Sequence, residues 1–128
     1  MQDKNNPLSP HLQIYKWQIS SLLSITHRIV GVINILVITI ICFLSLSLLL
    51  GAESYEIINN LLKSILGKFI VISICWTFSF HILNELRHLL WDLGYGFDLK
   101  VARITGVIAL IGSFILTILF YLIGKNIF

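Results

Sequence analysis

The sequence predicts an all-α membrane protein with three transmembrane helices. Of its 128 residues, 57% are hydrophobic and 12% are charged, whereas an ordinary soluble domain carries about 25% charged residues. Two uncharged runs, Ile29 to Leu50 and Ile104 to Gly124, reach the roughly 20 residues that a helix needs to cross about 30 Å of hydrocarbon. A third, Phe69 to Asn84, has only 16 uncharged residues, so the helix has to continue through Glu85, Arg87 and His88 into the headgroup layer. The spans are placed at about 21–50, 67–92 and 103–124, in a single domain covering residues 1–128. Because these spans and their connectors use almost the whole chain, no soluble catalytic domain is left, and the chain is not expected to be an enzyme on its own.

The approach to the first span contains Pro7 and Pro10, which suit an extended or turning segment and not a helix interior. The first 28 residues lack an apolar stretch followed by a small-residue cleavage site, and they lack the Arg-rich, acid-poor pattern of a transit peptide. The first span is therefore expected to act as an uncleaved insertion signal. The first connector, about 53–63, sets Ile57, Ile58, Leu61 and Leu62 against Glu56, Asn59, Asn60 and Lys63, the pattern of a short interfacial helix. The uncharged run of the last span carries no Asp, Glu, Lys, Arg or His, and Gly106, Ser113 and Thr117 recur along it at helical spacing, as a close helix-packing face requires.

Net charge is +3, but the nine Lys and Arg residues are scattered beside the spans without a basic run, which argues against nucleic acid. Cys42 and Cys75 fall inside apolar spans and far from any C-x-x-C-H, so neither a disulfide nor covalently attached haem is indicated. With three spans, the N-terminus and the second connector share one face, which carries Lys4, Lys16, Arg28, Arg87, Lys100 and Arg103. The opposite face has Lys63, Lys68 and Lys125. The positive-inside rule then puts the N-terminus in the cytoplasm, or in the matrix of a mitochondrion. Tyr15, Trp17, Trp91 and Tyr95 near one face, and Tyr55 and Tyr121 near the other, suit interface anchors.

Ionisable residues within spans cost about 2.5–3.5 kcal/mol at the bilayer centre, so they are functional candidates by default. Ser21, Ser24, His27 and Arg28 open the first span, and His81, Glu85, Arg87 and His88 return to the same face at the end of the second. Ser24 and Arg28, at i and i+4, share a helix face, where a hydroxyl and a guanidinium can hydrogen-bond a carbonyl such as that of a quinone head group. The competing reading has Arg28 reaching for lipid phosphate and Ser24 bonding back to its own helix. His81 lies about 9 Å deeper than Arg87, where a neutral imidazole serves either as an iron ligand or as an interhelical hydrogen bonder. His88 lies two turns, about 10.5 Å, along from His81, too far to take the other side of the same iron. The second axial ligand would then be His27 or a residue of another polypeptide, and the shallower position of His27 favours the latter. His27, Arg28 and Arg87 are basic groups suited to haem propionates. Asp92 and Asp98 follow on the face from which a quinone would collect protons, where such acids serve as relays or as simple caps and ion-pair partners.

Two stretches together, SPHLQIYKWQISSLLSITHRIVG and HILNELRHLLWDLGYGF, resemble the cytochrome b subunit of succinate dehydrogenase. The resemblance covers the first two spans and their approaches, and the three-span plan agrees with the family. It implies one of two small membrane anchors of respiratory complex II, completing a haem-binding helical bundle with the second anchor and holding an iron-sulfur subunit and a flavoprotein at the membrane. FAD and the iron-sulfur clusters would belong to those partners, and electrons would pass from the iron-sulfur subunit to ubiquinone. The resemblance assigns Ser24 and Arg28 to the ubiquinone pocket and His81 to one axial bond of haem b, the other coming from the second anchor. It places His27 and Arg28 near the propionates and Asp92 on a proton route. The implied location is a bacterial inner membrane, or alternatively the mitochondrial inner membrane. A fumarate reductase anchor and a haem-free structural subunit are the alternatives. Asn6, Val30 and Glu85 depart from the family, which often has arginine, a small hydroxyl residue and glycine at these places. Glu85, at i+4 from His81, is expected to turn toward the interface and pair with Arg87, Arg28 or a partner cation, because an unpaired carboxylate beside haem is costly.

Overall fold

The computed structural model describes residues 17–49 and 51–127, without the side chains of 47, 48, 52, 54, 55, 126 and 127. The expectations that rest on Lys4, Asn6, the Pro7 to Pro10 segment, Tyr15, Lys16 and Leu50, and on the side chain of Tyr55, lie outside the described residues. Among the described residues four helices follow one another: α1 (Ile19–Leu48), α2 (Ala52–Lys63), α3 (Ile65–Asp92) and α4 (Leu99–Ile127). Three of them, α1, α3 and α4, are long and apolar enough to cross a membrane. Their 30, 28 and 29 residues correspond to about 42–45 Å at 1.5 Å per residue, so each reaches from hydrocarbon into both headgroup layers.

The amphipathic α2 turns directly into α3 through one residue. The Ser64 hydroxyl donates to the Leu61 carbonyl at 2.6 Å and accepts the Gly67 N–H at 3.0 Å, so it closes one helix and caps the next. At the other end of α3 the chain leaves by a Schellman turn. The Tyr95 N–H bonds the Leu90 carbonyl at 3.0 Å, the Gly94 N–H bonds Trp91 at 2.8 Å, and Gly94 supplies the left-handed conformation at φ 87°.

Between the long helices the buried residues are small or polar: Asn34, Thr77, Ser79, Asn84, Ala109, Ser113 and Thr117, beside Leu23, Val30 and Phe80. This is how helices pack in lipid, where apolar bulk brings no advantage and close backbone approach does. The hydroxyls satisfy themselves on their own helix, Ser113 donating to Leu110 at 2.7 Å and Thr117 to Ser113 at 2.6 Å. Gly106, Ser113 and Thr117 all lie on the buried face of α4. Trp76 fills the space between α3 and α4, its ring centre 5.5 Å from Phe80 and 5.8 Å from Phe114.

Candidate functional site

Where the first turns of α1 meet the last turns of α3, three imidazoles form a stack. The His27 ring lies 4.4 Å from His81 and 5.2 Å from His88, with planes 25° apart in both cases. His27 thus bridges the two-turn gap between the α3 histidines. His88 in turn meets the Trp91 ring edge-on at 5.1 Å. The depth of this contact is set by Gly31, since a Cβ there would come within 3.2 Å of His81 Cε1. Gly31 thus acts as a notch for the imidazole, a role its spacing of four from His27 could have signalled.

Glu85 joins the stack from the open side. Its carboxylate oxygen is 3.3 Å from His27 Nε2 and 3.7 Å from His81 Nε2, and the side chain is 58% exposed. This corrects the expected pairing with Arg87 or Arg28. The 3.3 Å approach is poorly aligned, and both His27 Nε2 and His81 Nδ1 are buried without a hydrogen bond.

Arg87 is also corrected, because it does not face the histidines. It is six positions beyond His81, about 120° around the helix, and it is buried against α4. Its Nη2 donates to the Ala102 carbonyl at 2.9 Å and its Nε to the Thr105 hydroxyl at 3.2 Å. The guanidinium lies 4.1 Å over the Trp91 ring, whose indole N–H bonds Gly96 at 3.2 Å. Arg87 therefore fastens the turn between α3 and α4 and is not placed for a propionate. Sequence reasoning took its position near the membrane edge as a sign of an anionic partner, without a signal for which side of α3 it takes.

Ser24 and Arg28 flank His27 on α1, Ser24 half-buried and Arg28 exposed. The hydroxyls of Thr26, Thr39 and Ser45 bond back to the carbonyl four residues earlier. Ser24 makes no such bond, and neither Ser24 nor Arg28 has a hydrogen-bonding or ionic partner among the described residues. An apolar groove lined by Ile19, Leu22, Thr26, Phe80 and Gly106 opens between α1 and α4 and does not include Ser24 or Arg28. Asp92 ends α3, exposed, next to the connector.

Haem needs a neutral imidazole nitrogen in an apolar setting, and the residues present suit it for one axial bond. His81 is 31% exposed and lies on a different side of α3 from the α4-facing Arg87. His27 does not suit the second bond in this packing, since rings stacked at 4.4 Å leave no room for a macrocycle between them.

The sequence model of the succinate dehydrogenase/fumarate reductase transmembrane subunit family matches residues 2–120. The chain is 41% identical over 120 residues to the succinate dehydrogenase cytochrome b556 subunit of Rickettsia prowazekii, covering 90% of each. It is 31% identical over 115 residues to the subunit of the same name from Paracoccus denitrificans, covering 90% of this chain and 88% of that one. It is also 38% identical over 108 residues to the mouse mitochondrial succinate dehydrogenase cytochrome b560 subunit, covering 80% of this chain and 62% of that one.

Proposed function

Since the chain belongs to the succinate dehydrogenase/fumarate reductase transmembrane subunit family, we propose that it is the cytochrome b anchor of a succinate:ubiquinone oxidoreductase. It is a multi-pass membrane subunit, distinct from the catalytic flavoprotein. Its partners are a second membrane anchor, an iron-sulfur subunit and a flavoprotein carrying FAD. The N-terminal face, richer in Lys and Arg, lies toward the cytoplasm of a bacterium, or the matrix of a mitochondrion, and the iron-sulfur subunit docks there.

On this chain His81 would hold haem b, with a further ligand drawn from the second anchor. Haem, when bound, adds a one-electron redox centre within the membrane. Gly31 clears the space for the imidazole, while His27 and Arg28 lie at the edge where cationic donors can meet propionates. Ser24 and Arg28 hold ubiquinone, the hydroxyl and the guanidinium donating to its carbonyl oxygens, and Asp92 stands on the proton route at the same face. Reduction to quinol takes up two electrons and two protons, so the head group has to sit near aqueous proton donors, which this membrane edge provides.

The observation that carries the reading is the convergence of His27, His81, Ser24 and Arg28 at one membrane edge, with no partner for Ser24 or Arg28 among the described residues. The test is a redox difference spectrum of the detergent-purified complex, recorded on adding succinate and then dithionite. A b-type band is expected, and it should vanish in His81→Ala while the subunits stay together. A complex that retains its subunits but has no band under either reductant would leave a haem-free anchor.

A further inference from the structure

His27, His81 and Glu85 do more than surround a haem ligand: one donor atom from each lies within 4.8 Å of the others. We propose that in the haem-free chain these three residues bind a divalent transition-metal ion of the Zn2+ class, and that this ion and haem exclude each other. The exclusion rests on the assignment of His81 to haem, because one imidazole nitrogen cannot serve both.

The distances favour a small tetrahedral ion. Donors bound to zinc at about 2.0–2.1 Å stand roughly 3.3–3.4 Å apart at tetrahedral angles. The Glu85 oxygen is 3.3 Å from His27 Nε2 and 3.7 Å from His81 Nε2. Two imidazoles and one carboxylate, with room for water as the fourth ligand, suit zinc or cobalt and disfavour the all-oxygen ions calcium and magnesium. His27 Nε2 is buried with no hydrogen-bond partner, so a metal bond would satisfy an atom the protein itself leaves unmet. The exposed carboxylate of Glu85 provides the route in from the membrane edge. The stacked rings have to open so that both lone pairs aim at one point, and the broad χ2 preference of histidine makes that rotation cheap.

The full-length chain, purified in detergent without haem, should be titrated with Co2+ as the spectroscopic probe. One Co2+ per chain is expected, with the visible ligand-field bands of a tetrahedral site, displaced by Zn2+. Glu85→Gln and His27→Gln should each weaken binding by at least about tenfold, while His88→Gln, a neighbour outside the triad, should bind as the parent does. Adding haem together with the second anchor should release the Co2+ as the b-type spectrum grows. No tetrahedral band, or parent-like affinity in Glu85→Gln and His27→Gln, would overturn the site. Simultaneous binding of Co2+ and haem would overturn the exclusion and leave the anchor assignment standing. Failure of the His81 assignment would appear separately, as a b-type spectrum that survives His81→Ala.

Discussion

The Arg87 guanidinium lies 4.1 Å over the Trp91 ring, one helical turn further along α3, and from there it reaches across to α4. The arrangement separates two groups of polar residues at the same membrane edge. Arg87, Trp91, Ala102 and Thr105 hold helices together, whereas His27, His81, Glu85, Ser24 and Arg28 remain available for ligands.

Arg87→Ala should act on stability and leave ligand chemistry largely intact. It removes two hydrogen bonds and the ring contact from a buried position, a loss of about 2–3 kcal/mol. The melting temperature of the purified complex should fall by several degrees, with the b-type spectrum retained. A large spectral change without a loss of stability would place Arg87 at the haem after all.

Gly31→Val should do the reverse. A Cβ there would lie 3.2 Å from His81 Cε1, and the two methyl groups of valine extend beyond it, so the imidazole has to move. Most of the b-type band should be lost while the subunits still co-purify. Full haem content in this variant would show that the notch does not matter.

Ser24→Ala should impair only the quinone step, and Arg28→Leu that step together with the propionate contact. Losing a neutral hydrogen bond corresponds to about a 3- to 10-fold rise in KM for ubiquinone, and losing a charged one to about 10- to 100-fold. Succinate oxidation by a dye that takes electrons ahead of the membrane subunits should be unaffected. Equal losses in both assays would point to faulty assembly.

Asn34→Leu gives a contrasting expectation. Asn34 is buried and its amide donates to the Thr77 carbonyl across α1 and α3, but at 3.4 Å. Such interhelical bonds average about 0.6 kcal/mol in lipid. Thermal stability should change by less than about 1 kcal/mol, and a collapse of the complex would mean that Asn34 specifies the helix pairing.

The helical membrane architecture was legible in the sequence because span length and apolarity are properties of consecutive residues. The two quoted stretches likewise carried the family, since motif and order need no third dimension. The sequence also brought His27, His81, Ser24 and Arg28 to one membrane edge, because direction reverses with each span. Rotation about the helix axes was settled only by packing. Periodicity puts Arg87 and Glu85 on different sides of α3, but it does not say which side meets α4. Tertiary contact turned Arg87 to Ala102 and Thr105 and left Glu85 with the histidines. The physical reason is that a polar group in lipid takes whichever partner is nearest once the helices have met, and the meeting itself depends on small residues such as Gly31 that let one backbone approach the other.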